Sequence, residues 1–336
     1  MIPLSVLDLS PVTTEISGAQ ALHNSLDLAR HADALGYRRY WVAEHHNLAT
    51  IASCAPDIMI GQIAAATARL RVGSGGVMLP NHAPLTVAER FKTLEALFPG
   101  RIDLGIGRAP GTDPVTSLAL RRRQDISDDD DFLERLQELL LLESREYPPA
   151  HPFSKIRAMP DGVPLPPLFL LGSSGYSAQV AASIGAGFSF AHHFASHDAA
   201  DAMLAYRSAF RPSPMRGAPY AILAVHVVCA PTDAAAERLA ATVDLHFVRR
   251  AKGEYLPLEH PDAALAYPYS AIDRERMQQN RARLFVGAPE RIKPQLDRLI
   301  AATRADEVMI TTMVFDHAAR KASYALMAQT CGIDAA

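Results

Sequence analysis

The run "RRYWVA" (38–43) is followed by a carboxylate and two adjacent imidazoles, Glu44, His45 and His46. Imidazole titrates near neutral pH, so such a group can ligate a metal, pass protons beside a bound cofactor, or sit as ordinary surface. Polar residues recur after other short apolar runs: Asn81 and His82, Arg108, Ser173, Ser174 and Ser177, then His192 and His193. A metal is the poorest fit. Adjacent histidines on a strand point to opposite faces, which leaves one inward ligand per pair. Asp8 and Ser10 stand where an H-x-H would follow the first apolar run, and Cys54, Cys229 and Cys331 form no C-x-x-C. No metal is assigned.

In "LLGSSGYSAQVAASIG" (170–185) a strand runs into a turn at Gly172, Ser173 and Ser174, and a helix starts near Tyr176. Free amides and the positive end of that helix, beside hydroxyls, suit a phosphate. A plain serine N-cap accounts for the pattern equally well. Arg108, in "GIGRAPG" (105–111), follows a neighbouring strand and can offer the same anion its fork of donors. That segment holds a G-x-G, but Pro110 takes the place of the last glycine of a dinucleotide fingerprint. In "VGSGGVMLP" (72–80), Gly73, Gly75 and Gly76 interrupt a strand, which marks either a bulge or a close approach to the backbone, such as that of a flat ring.

These residues need elements to position them. Short segments rich in β-branched and aromatic residues lie at 4–9, 38–43, 70–79, 101–107, 167–172, 187–193, 220–230 and 306–315, and each reads as a strand. Between them run helical periods such as "ALHNSLDLARHADALG" (21–36), which Gly36 stops. Strand and helix in turn give right-handed βαβ units, and eight of them point to an α/β fold of the (β/α)8 TIM-barrel type, one domain over 1–336. Ligands bind at the carboxyl ends of barrel strands, where all the polar residues above fall.

Roughly 60 residues separate the fourth and fifth strands and more than 70 the seventh and eighth, so insertions follow strands 4 and 7. The first carries "RRRQDISDDDD" (121–131), acids set to favour the amino end of the helix after them. The second, at about 251–280, is rich in Pro, Tyr and charge and reads as a mobile lid.

Taken in order, "AEHHN", "VGSGGVMLPNHAPLTVAER", "GRIDLGIGRAPG" and "LLGSSGYSAQVAASIGAGFSFAHHF" resemble the bacterial-luciferase-like flavin-dependent monooxygenases, in the luciferase-like oxidoreductase subgroup. The resemblance implies a barrel that takes reduced FMN from a separate NAD(P)H:flavin reductase and reacts it with O2 on a small apolar substrate, commonly as a homodimer. It implies a non-prolyl cis peptide at Gly75-Gly76 against the flavin ring, and phosphate contacts from Arg108, Gly172, Ser173, Ser174 and Ser177. His45 would be the catalytic acid/base, with Glu44, His82, His192 and His193 lining the substrate pocket. Gly107 stands where the luciferase catalytic subunit has a reactive cysteine, so no thiol chemistry is implied. A related barrel using F420 for hydride transfer, or a flavin-binding protein without catalysis, stays open as an alternative.

Composition narrows the classes. The net charge of −3 gives no general attraction to nucleic acid or anionic membrane. Three scattered cysteines, and a start "MIPLSVLDLSP" unlike a secretory signal, lead to the expectation of a cytoplasmic protein.

Overall fold

The structure, a computed structural model, describes residues 2–109, 111–121 and 131–333. The acids at 125–130 lie outside the described residues; Asp131 is paired with Arg135 one turn on, at 2.7 Å. The strands are β1 (Leu4–Asp8), β2 (Arg39–Val42), β3 (Arg71–Ser74), β4 (Val77–Met78), β5 (Ile102–Gly107), β6 (Leu168–Gly172), β7 (Gly187–Ala191), β8 (Ala221–Cys229), β9 (Leu284–Gly287) and β10 (Glu307–Thr311). All pairings among them are parallel, and β10 pairs with both β8 and β1, which closes the expected eight-stranded barrel.

The third run, read as one strand, is two. Gly73 is opposite Asp103 and Val77 opposite Ile106, so β3 and β4 carry one extra residue against β5, a bulge with a cis peptide at Gly75-Gly76. The glycines are required by that bulge. A Cβ on Gly105 would lie 2.0 Å from the Ser74 carbonyl oxygen, and one on Gly76 would lie 2.8 Å from that of Gly105. The missing side chain of Gly75 is replaced by Leu7 and Trp41 rather than by open space.

The first three helices are α1 (Gly18–Ala34), α2 (Pro56–Ala66) and α3 (Pro84–Leu97), and the insertion after β5 holds α4 (Pro114–Arg121) and α5 (Phe132–Ser144). Next come α6 (Gly175–Ile184) and α7 (Ala199–Ala209), and the insertion after β8 holds α8 (Asp233–Ala251), α9 (Pro261–Ala266) and α10 (Ala271–Arg281). Last are α11 (Pro289–Thr303) and α12 (His317–Cys331). Alternation sorts β1: Leu4 and Val6 join the core beneath the helices, while Leu7 joins Trp41, Phe169 and Met309 inside the barrel. β9 was not among the strands expected from the sequence; it pairs with the end of β8 beyond the residues shared with β7. The segment 251–280 carries α9 and α10, and Leu258 is bonded through its backbone to Val12 and Thr14 in the loop after β1.

The amino end of the barrel is closed by ion pairs. Arg39 donates to Glu307 at 3.0 Å and Asp103 at 2.6 Å, and Arg71 also reaches Asp103 at 2.6 Å. Trp41 and Tyr220 donate to the same two carboxylates. Burial opposes the charge on Arg39, but the two carboxylates outweigh it and hold the guanidinium protonated.

Candidate functional site

Three groups of residues gather at the carboxyl end. The first is built on Glu44, only 1% exposed, just past β2. One of its oxygens accepts from Nε2 of both His46 and His82 at 2.8 Å, and the other accepts from the Met78 amide at 2.9 Å. Burial raises its pKa, but the bonds from His46 and His82 bring it down to about 2, so it is ionised. Glu44 and His82 also border a cavity of about 70 Å³ between the starts of α2 and α3, too small for an organic substrate. His82, expected to line the substrate pocket, is thus engaged with Glu44.

The second group is imidazole. The His45 amide donates to Ser53 O at 2.9 Å, which fixes the backbone, while its side chain has no bond to Glu44. His45 is half-buried as a residue, yet its Nδ1 is buried without a hydrogen-bond partner. Burial first, then Arg250, push its pKa down to about 4, against the opposing pull of Glu44. His193 is likewise held near 4, mainly by burial, and its Nδ1 lies 3.3 Å from the Ala224 carbonyl that accepts from it. His192 and His193 are not on a strand. β7 stops at Ala191 and they begin a 3-10 turn ending at Phe194, so the alternation used to separate their faces does not apply.

Two members were missed. His226, inside "YAILAVHVVCA", is 7% exposed, and its Nε2 accepts from the Met313 amide at 3.2 Å. Burial, then His193, push its pKa to about 3. The available signal was alternation, since Ile222 and Ala224 share its inward face. His246 on α8 is held near 4 by burial and Arg250, and the helical period alone does not mark it as facing His226.

The third group suits an anion. Ser174 is the N-cap of α6 but makes no capping bond, so the first amides of the helix are not consumed by the side chain expected to take them. A Cβ on Gly175 would meet nothing within 4 Å. Arg108 lies over the Tyr176 ring, 4.4 Å from its centroid, which brings its guanidinium to the same helix end. Ser177 is buried and packs against Gly172, where a Cβ would come within 2.5 Å of it. A ligand phosphate fits these uncapped amides and this cation, and the orphaned Nδ1 of His45 fits a polar group brought with it.

Asp8, which stands where an H-x-H would follow the first strand, is ion-paired with the buried Arg320 at 2.6 Å. Among the described residues no group of three His, Cys, Asp or Glu side chains is arranged to hold a metal, and no helix is long and apolar enough to cross a membrane.

Comparison with known proteins shows the family and the fold. The luciferase-like monooxygenase family model matches residues 2–325. A luciferase-like monooxygenase of Escherichia coli (strain K12) is 42% identical over 325 residues, covering 97% of this chain and 96% of its own. The N-acetyl-S-alkylcysteine monooxygenase of Bacillus subtilis (strain 168) is 32% identical over 330 residues, covering 97% of each chain. The crystal structure of apo-MsnO8 superposes with a TM-score of 0.89 at 39% identity, over 100% of both chains.

Proposed function

Because the chain belongs to the luciferase-like monooxygenase family, we propose that it uses O2 and reduced FMN, supplied by a separate NAD(P)H:flavin reductase, to oxygenate a small, mostly apolar organic molecule. The observation that carries the choice of FMN is the uncapped amino end of α6 beside Arg108. A flavin mononucleotide has one terminal phosphate, which those amides and one guanidinium match in charge and number. Homodimer formation and cytoplasmic residence belong to the same proposal.

Bound reduced flavin would supply the two electrons that activate oxygen. The chain does the rest. Ser173, Ser174 and Arg108 would hold the phosphate, and the Gly75-Gly76 peptide, which bears no side chains of its own, would lie against the ring. His45 is neutral at pH 7, so it takes up a proton at one ring nitrogen or gives one from the other without a charged resting state. Glu44 is a positioning residue: it ties His46, His82 and the Met78 amide together and so fixes the loop that carries His45. The 251–280 segment serves as the lid that keeps water from the mouth.

Titration with FMN, riboflavin and F420 tests the cofactor, followed by oxygen uptake with photoreduced FMN. Tightest binding of FMN and an altered rate of flavin reoxidation are expected. Tighter binding of F420, or reoxidation at the rate of free flavin, overturns the reading.

A further inference from the structure

We propose that Arg250 and Arg283 make the barrel mouth selective for a substrate bearing a carboxylate on an apolar body, an inference that rests on the monooxygenase reading and deepens it. The insertion after β8 is rich in charge, and several of its cations are paired. Arg249 reaches Glu259 at 3.4 Å, Arg281 reaches Asp244 at 2.7 Å, and Lys252 reaches Asp273 at 2.9 Å. Arg250, exposed in the last turn of α8, and Arg283, half-buried before β9, form no ion pair among the described residues.

Arg283 directly precedes β9, whose Leu284 is in register with His226. Its Nη1 donates to Ala195 O at 3.1 Å, next to the His192–Phe194 turn, and this single bond leaves most of the fork unassigned. Its charge is felt by His192 and His193, while that of Arg250, in the last turn of α8, is felt by His45 and His246. The two guanidiniums therefore approach the imidazoles from different elements.

Nearby acids are already committed. Glu44 accepts three hydrogen bonds, and Asp198 caps α7 by accepting from the amides of Ala200 and Asp201. Glu44 and Asp198 offset part of this positive charge, but neither is ion-paired with Arg283, whose open donors favour a ligand that brings an anion of its own. A carboxylate matches the guanidinium fork, and the exposed Phe194, whose ring lies against His193, offers an apolar surface in the same turn. The phosphate cradle at α6 lies on other residues, so this charge is not needed for the flavin.

The test is calorimetric titration of the purified chain, with and without FMN, against octanoate and octanamide and against 4-phenylbutyrate and 4-phenylbutanamide. At least one acid should bind about tenfold or more tightly than its amide, the effect of a charge-assisted hydrogen bond. Arg283→Met should erase that preference, Arg283→Lys should keep part of it, and Arg250→Met should weaken it. Affinity for FMN should change less than about twofold in all three variants, since no phosphate contact is touched. Equal affinity for acid and amide, or no binding of any acid, overturns the proposal. So does a collapse of FMN affinity in Arg283→Met, which would assign the arginine to the cofactor. A wild-type chain that prefers the acids yet does not bind FMN supports this inference while removing the cofactor reading alone.

Discussion

At the amino end of the barrel Arg39 is shared between Glu307 and Asp103, whereas at the carboxyl end His45 keeps a buried Nδ1 with no partner. The first region spends its polar groups on one another and leaves nothing to bind a ligand. The second surrounds neutral imidazoles with backbone and apolar side chains and leaves polar atoms unsatisfied. Stability and reactivity are thus assigned to opposite ends of the same strands, because a buried group cannot be both fully paired and available.

The contrast can be broken from either end. The largest expected effect is on turnover. His45→Ala should lower it by about 10²–10⁴-fold while FMN binding and thermal midpoint stay close to wild type, the usual loss for a general acid or base. Unchanged turnover would remove His45 from the chemistry. Next, Arg39→Met strands Glu307 and part of the Asp103 charge in the barrel, and urea denaturation should show a loss of about 3–5 kcal/mol. A loss below 1 kcal/mol would mean that the amino-end network is no more than decorative. Smaller still, Arg108→Ala should weaken FMN by about 1.5–3 kcal/mol and leave riboflavin unchanged, because only FMN carries the phosphate. Equal losses for both flavins would place Arg108 elsewhere.

The smallest effect sharpens the contrast through pH. His45, His193, His226 and His246 have folded pKa values of about 4, 4, 3 and 4, below the ordinary 6.5. The unfolded chain therefore binds protons first as pH falls below 6.5, and stability that is complete above that value declines toward pH 4. Asp8, held below the ordinary carboxylate value chiefly by Arg320 against its burial, gives way only below about pH 3.8. Replacing His226 with Gln should recover about 1–2 kcal/mol of the decline between pH 7 and 5, read from denaturation midpoints. An unaltered slope would show that His226 is not held neutral.

Much of this was legible in the chain. The eight barrel strands follow from β-branched runs separated by helical periods, because a parallel strand buried on both faces writes a continuous apolar signal. The Glu44-His45-His46 cluster was visible as a run of residues, but that Glu44 takes His46 and His82 and leaves His45 apart could not be read from their spacing. What stayed hidden depends on long-range placement. β9 is four residues in an insertion with no period of its own, and His226 looks like one more position in an apolar strand until the barrel closes around it. The pair His192 and His193 misled because a 3-10 turn, not a strand, sets their directions.

Leu258 donates to Val12 O and accepts from the Thr14 amide, each at 2.9 Å, and is itself 1% exposed. The 251–280 segment is therefore sewn to the loop after β1. Lifting it there would strip two backbone bonds and wet a buried leucine, so opening along this edge carries a cost in free energy that the rest of the segment need not share. Any movement of the segment would then turn about the Leu258 stitch, like a flap on a seam, and leave the loop after β1 in place.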